Sequence, residues 1–99
     1  MAPIRRLVLD MLKPHDPTIH DVASRLAEDD GIDAVNATLL ETDRDVENVK
    51  LTIEGDGIDV PAVVEIIESL GATLHSVDEV VSGDRIVEEV KTPQDRRSR

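Results

Sequence analysis

The chain is expected to adopt an α+β fold with the element order β-α-β-β-α-β, and three observations carry that expectation. Four stretches hold apolar residues with the alternation of strands, most cleanly Val49, Leu51 and Ile53 against Lys50, Thr52 and Glu54. Two other stretches repeat apolar residues at helical spacing, each opening on a capping residue and followed by a glycine. The connections are short, and with right-handed crossovers this order folds into a four-stranded antiparallel sheet, spatial order 4-1-3-2, with both helices on one face.

The first strand is the β-rich run within Pro3 to Leu12, ended by Lys13-Pro14. Thr18, followed three residues later by Asp21, resembles the opening of a capping box, and Ile19, Val22, Ala23 and Leu26 repeat as a helix that Gly31 is expected to close. The second strand spans Asp33 to Thr42 with Val35, Ala37 and Leu39 on one side, and residues 43–48 make the turn into the third. Gly55-Asp-Gly57 breaks that strand. Asp59 caps the second helix, Pro61 lies in its first turn, and Val60, Val63, Val64, Ile67 and Leu70 form its stripe up to Gly71. The fourth strand runs from Thr73 to about Val81, and the turn Ser82-Gly-Asp84 leads into Arg85 to Val90, a short strand or helix expected to cover a neighbour.

Composition bounds the rest. The 99 residues make one domain, and the sequence divides into a body, 1–90, and a basic, flexible tail, 91–99. Phe, Tyr, Trp and Cys are absent, so the core is built from aliphatic residues and Met. Disulfides, iron–sulfur clusters, thiolate zinc sites and thiol nucleophiles are excluded with cysteine. Acids number 22 against 11 bases, and only Lys13, Lys50 and Lys91 are lysines. Such an acid-rich surface stays soluble in strong salt, which points to a cytoplasmic protein of a salt-loving microbe. The net charge of −11 and the lack of aromatics argue against a nucleic-acid partner, and no apolar run is long enough to span a bilayer. The tail runs against the body in sign: Lys91, Arg96, Arg97 and Arg99 outnumber Asp95, and disorder or peripheral docking onto the protein's own acidic body is a plainer expectation for it than RNA or DNA binding.

In this topology the end of strand 1, the start of strand 4 and the strand 2–3 turn meet at one edge of the sheet. They bring Asp10, His15 and Asp16 toward His75 and Asp78, and toward Glu41, Asp43, Asp45 and Glu47. Carboxylates with imidazole suit a divalent metal: Ca²⁺, Mg²⁺ or Mn²⁺ for oxygen donors alone, Mn²⁺, Zn²⁺ or Ni²⁺ once histidine joins. The candidate ligands are Asp10, His15, His75, Asp78 and Glu79. A solvated acidic turn is the plainer reading of Asp43 to Glu47, which lacks the glycine and distal Glu of an EF-hand. Asp10 falls on the open face of the expected central strand, where a pair with Lys50 or a ligand role are equal readings. His75 and Glu79 share a parity and are expected to flank it. Enzyme templates fail: there is no Gly-rich phosphate loop, no serine in a nucleophile elbow, and no arginine in the Lys13-Pro-His-Asp-Pro17 loop where acylphosphatase-like chemistry needs one.

Leu9-Asp-Met-Leu-Lys-Pro-His15, Val35-Asn-Ala-Thr-Leu-Leu-Glu41, Glu47-Asn-Val-Lys-Leu-Thr-Ile-Glu-Gly55, Leu74-His-Ser-Val-Asp-Glu-Val80 and Thr92-Pro-Gln-Asp95 together resemble an archaeal family of uncharacterised proteins, domain of unknown function number 211, over residues 3 to about 95. The resemblance implies a ferredoxin-like fold without an iron–sulfur cluster, and homo-oligomers of ring-like form. It brings no catalytic residue, and the excess acid looks like a haloarchaeal overlay. Two functions remain: an oligomer that binds a divalent metal or small ligand through the candidate residues, and a regulatory small-molecule-binding module, like the amino-acid-sensing domains of this topology, with its site at a subunit interface formed by the exposed sheet face around Thr38, Thr52 and Val77.

Overall fold

The computed structural model describes residues 2–89. Its elements are β1 (Ile4–Lys13), α1 (Ile19–Ala27), β2 (Ile32–Thr42), β3 (Glu47–Gly55), α2 (Val60–Ser69) and β4 (Thr73–Ser82). The strands form one antiparallel sheet in the order β2-β3-β1-β4, which is the expected 4-1-3-2 read from the other edge. The fold is therefore the ferredoxin-like α+β sandwich. Among the described residues no helix is long and apolar enough to cross a membrane.

Period-2 alternation divides the central strands between two environments. Leu7, Leu9 and Met11 of β1 and Val49, Leu51 and Ile53 of β3 are fully buried in one cluster with Val22 and Leu26 of α1 and Val63, Ile66 and Ile67 of α2. The helices begin as the sequence indicates. The Thr18 hydroxyl accepts a hydrogen bond from the Asp21 amide at 3.3 Å, and the Asp59 carboxylate accepts one from Ala62 at 3.1 Å. The second helix ends in a Schellman motif: Gly71, at φ 84°, donates to Glu68, and Ala72 donates to Ile67.

Four details depart from the sequence-based expectation. First, α1 ends at Ala27 with Glu28 as its C-cap, so Gly31 does not close the helix. Gly31 serves a different contact: its carbonyl accepts from the Asp56 amide, and the β2–β3 pairing brings it so close that a Cβ on Gly55 would overlap it. Second, residues 85–89 form neither strand nor helix; the chain leaves β4 and its Glu88 carboxylate meets Arg6 over the open face of the sheet. Third, Leu39 is exposed, although Val35 and Ala37 of the same strand pack against the core. Fourth, the β1–β4 register is interrupted by shifts between Val8 and Leu9 and between Asp10 and Met11. Val8 opposes Glu79 and Leu9 opposes Val77, leaving Asp78 as an extra residue; Asp10 opposes Ser76 and Met11 opposes Leu74, leaving His75 as another. The expectation that His75 and Glu79 share a parity fails for that reason. The expected flexible tail, residues 91–99, and Val90 lie outside the described residues.

Candidate functional site on the open face of the sheet

Arg6, Val8, Asp10 and Leu12 of β1, the even-numbered residues of β3 and the facing residues of β2 form a surface that no helix covers. At one end stands Arg6. Its Nε and Nη2 donate to one oxygen of Glu54 at 3.0 and 2.9 Å, and Nη1 and Nη2 donate to the two oxygens of Glu88 at 2.9 Å each. Glu79 lies 3.5 Å away. This forked pairing raises the guanidinium pKa further above its ordinary range, Glu88 contributing most and Glu54 next, and it lowers that of Glu88. Arg6 thus ties β1 to β3 and to the segment after β4.

The opposite end of β1 holds a second cluster. Lys13 continues the inward parity of Leu7, Leu9 and Met11 and is only 1% exposed. Its ammonium donates to the Pro14 carbonyl and meets Glu47, its register partner on β3, at 2.7 Å in each case. The other Glu47 oxygen lies 3.1 Å from His15 Nδ1, while His15 Nε2 lies 2.9 and 3.1 Å from the carbonyl oxygens of Arg44 and Asp43. Both ring nitrogens face acceptors, and only the imidazolium can donate from both. The His15 pKa is accordingly raised, chiefly by Glu47 and then by the Arg44 carbonyl. Glu47 is lowered by Lys13 first and His15 second. Asp43 is lowered because its Oδ1 accepts from the amides of Val46 and Asp45. In its protonated state His15 has no nitrogen lone pair to offer a metal, and the cluster pins the β1–α1 loop to the β2–β3 turn.

Between these ends lie two adjoining hollows that share Leu40 and Lys50. The larger, about 680 Å³, is lined on β2 by Ala34, Asn36, Thr38 and Leu40, and on β3 by Lys50, Thr52 and Glu54, among others. The smaller, about 440 Å³, is lined by Val8, Asp10, Asp78, Glu79 and Glu89 with the shared pair. Asp10 and Lys50 are direct register partners, as the sequence suggested, yet they form no ion pair within 4.0 Å among the described residues. Ser76 donates to Asp78 at 3.0 Å. At the turn end of the same face, the buried carboxamide oxygen of Asn48 has no hydrogen-bond partner among the described residues.

The five sequence candidates are therefore divided. Asp10, Asp78 and Glu79 line one hollow. His15 belongs to the Lys13–Glu47 cluster at the end of β1. His75, the extra residue at a register shift, is exposed and does not line that hollow. Among the described residues no group of three or more His, Asp or Glu is placed to hold a metal ion. Sequence reasoning missed Lys13 because it ended the strand at Leu12; carrying the alternation of Leu7, Leu9 and Met11 one step further finds it. It also missed the Glu54–Arg6–Glu88 bridge, which depends on a segment with no periodicity.

Comparison with known proteins agrees with the sequence blocks. The uncharacterized protein MJ0319 of Methanocaldococcus jannaschii, a methanogen, is 58% identical over 96 residues, covering 97% of this chain and 99% of its own length. The family model described as "Uncharacterized ArCR", domain of unknown function number 211, matches residues 5–96, nearly the whole chain. A fold of this order, a match of that extent and a relative of that identity assign this chain to that archaeal family.

Proposed function

We propose that the protein is a regulatory ligand-binding module whose site is the open face of the sheet, and that it works as a homo-oligomer in the cytoplasm of a salt-adapted archaeon. The observation that carries this reading is the pair of hollows meeting at Lys50. The larger has the size of a small-molecule site and a lining of hydroxyl, carboxamide and short aliphatic groups. Asp10 and Lys50 are neighbours across β1 and β3 that both line the smaller hollow without joining, and Lys50 also lines the larger, so a zwitterion of amino-acid size lying over them has its carboxylate on Lys50 and its ammonium on Asp10. Thr38, Thr52 and Asn36 supply the neutral hydrogen bonds that discriminate among such ligands.

Oligomer formation is supported by the two edge strands. β2 carries exposed Leu39 and Leu40, and β4 carries exposed Val77 and Val80. Exposed aliphatics along unpaired strand edges favour association with another copy. The body's acid excess and low lysine content support the salt-adapted setting.

A second reading has its own observation. Asp10, Asp78, Glu79 and Glu89 line one hollow, a carboxylate set whose oxygens suit Ca²⁺, Mg²⁺ or Mn²⁺ once side chains rotate inward. One experiment separates the two. In molar KCl, a panel of amino acids and, separately, divalent ions are titrated into wild type, Lys50→Met and Asp10→Asn/Asp78→Asn, with melting temperature and calorimetric heat recorded. The ligand reading expects an amino acid to stabilise wild type and to lose its effect in Lys50→Met. Metal-dependent heat that survives Lys50→Met and disappears in the double variant supports the second reading instead. Stabilisation unchanged in both variants overturns both.

A further inference from the structure

Strand register lays the open face out as a grid of three rows. Thr38, Lys50 and Asp10 stand side by side in the first row, Asn36, Thr52 and Val8 in the second, and Ala34, Glu54 and Arg6 in the third. Rows are two residues apart along each strand, about 6.6 Å, so the first and third are about 13 Å apart at the backbone. The larger hollow follows β3 through all three, from Lys50 past Thr52 to Glu54. A ligand whose carboxylate and ammonium occupy the first row therefore has a path for its side chain over the second row to the third.

The two rows on that path differ in charge. The second is uncharged and suits an aliphatic stem. In the third, Arg6 meets the carboxylates of Glu54 and Glu88 at 2.9 Å and that of Glu79 at 3.5 Å. Three carboxylates surround one guanidinium, an excess of two negative charges. Both bonds from Arg6 to Glu54 fall on the same oxygen, Oε2, and Oε1 accepts no hydrogen bond among the described residues. The Glu54 side chain is 42% exposed, and Ala34, the smallest residue of the lining, stands opposite it on β2 and leaves room beside the carboxylate. A cation completes this end of the hollow, whereas a further carboxylate is repelled from it.

We propose that the ligand is an amino acid with a cationic side chain of lysine or arginine length, and that Glu54 selects it. This rests on the ligand reading above and names its ligand class. Lys50 holds the carboxylate, Asp10 holds the α-ammonium, and Glu54 Oε1 accepts from the terminal cation of the side chain. Contacts at hydrogen-bond distance lie within the Debye length even in molar salt, about 3 Å, so the selection persists at high ionic strength.

Calorimetric titration of the full chain in molar KCl tests the inference. The probes are L-lysine, L-arginine, L-glutamate, cadaverine and L-norleucine, which keeps the lysine stem without its ammonium. Lysine or arginine is expected to bind wild type about tenfold or more tighter than norleucine, the worth of one charge-assisted hydrogen bond. Cadaverine, which lacks the carboxylate for Lys50, is expected to bind more weakly than lysine, and glutamate weakest. Glu54→Gln is expected to erase the difference between lysine and norleucine. That variant keeps an oxygen for Arg6, which also keeps Glu88, so its melting temperature is expected to stay near wild type. Norleucine binding as tightly as lysine and arginine, with both lost in Lys50→Met, overturns the inference and leaves the ligand reading standing. A preference for lysine that survives Glu54→Gln, or cadaverine binding as tightly as lysine, also overturns the inference. No saturable heat from any amino acid overturns it together with the ligand reading.

Discussion

The two faces of this sheet obey different rules. The helix-covered face is apolar along most of its length, where Leu7, Leu9, Met11, Leu51, Ile53, Val63 and Ile67 are each fully buried, and carries a buried charge only at its end, Lys13 paired with Glu47. The open face keeps Val8 and Val81 almost as dry, but they stand outside the core cluster, among Arg6, Asp10, Lys50, Glu54 and Glu79. On the first face stability comes from area removed from water and from close packing. On the second, charges are paired in a network or left facing a hollow, which contributes little to stability and leaves groups available for recognition. The same strands therefore carry a structural side and a candidate functional side, one residue apart.

The largest effect is expected where the backbone itself leaves no room. Gly55→Ala places a methyl group on the Gly31 carbonyl, and neither partner is a movable side chain. The expected outcome is loss of the cooperative thermal transition in circular dichroism, whereas Gly57→Ala, with open space but φ of 77°, retains it. A Gly55→Ala variant that melts like wild type would rule out this close approach of Gly31 to Gly55.

Substitutions on opposite faces of adjacent strands come next. Leu9→Ala opens a cavity in the core and is expected to cost about 2–5 kcal/mol. Thr52→Ala, on the open face of β3, is expected to stay within about 0.5 kcal/mol. Denaturant melts in molar KCl measure both, and similar losses at the two sites would erase the distinction between the faces.

The smallest effect is pH-dependent. The folded-state His15 pKa is raised, so its contribution is fully present below the unfolded value of about 6.5 and is lost as pH rises through the folded value. Glu47 is lowered, so its contribution is present above about 4.3 and fades as pH falls through its folded value. The cluster is strongest between those limits. His15→Ala is expected to flatten the decline of melting temperature above pH 6.5 and to weaken the acid-side decline only by the share His15 has in lowering Glu47, Lys13 keeping the larger share. An unaltered slope above pH 6.5 would show that the imidazolium is not what links the loop to the turn.

Much of the architecture was legible because it depends on local rules. Alternation in Val49 to Glu54, the caps at Thr18 and Asp59, and the glycine after α2 each state their element within a few residues. The opposition of Asp10 and Lys50 followed from topology and parity together. The candidate site was legible only in part. Its five residues were gathered because the topology brings the end of strand 1 and the start of strand 4 to one edge; relating His75 to Glu79 assumed unbroken alternation along β4, and two register shifts, which no residue in that strand announces, moved His75 out of phase. His15 was seen to approach the turn, but its engagement by backbone carbonyls of Arg44 and Asp43 has no signature in side-chain chemistry.

What the sequence determined by itself was the set of elements, their order and the composition of the core, since periodicity, capping and aliphatic content act over short spans and leave one arrangement of helices and strands that buries the apolar face. What the tertiary structure decided was which charges meet. Lys13 with Glu47, Arg6 with Glu54 and Glu88, and Asp10 beside Asp78 and Glu79 are pairings over long separations in sequence, set by register, bulges and the path of the chain after β4. Those are properties of strands lying side by side, and a one-residue shift in pairing changes them all.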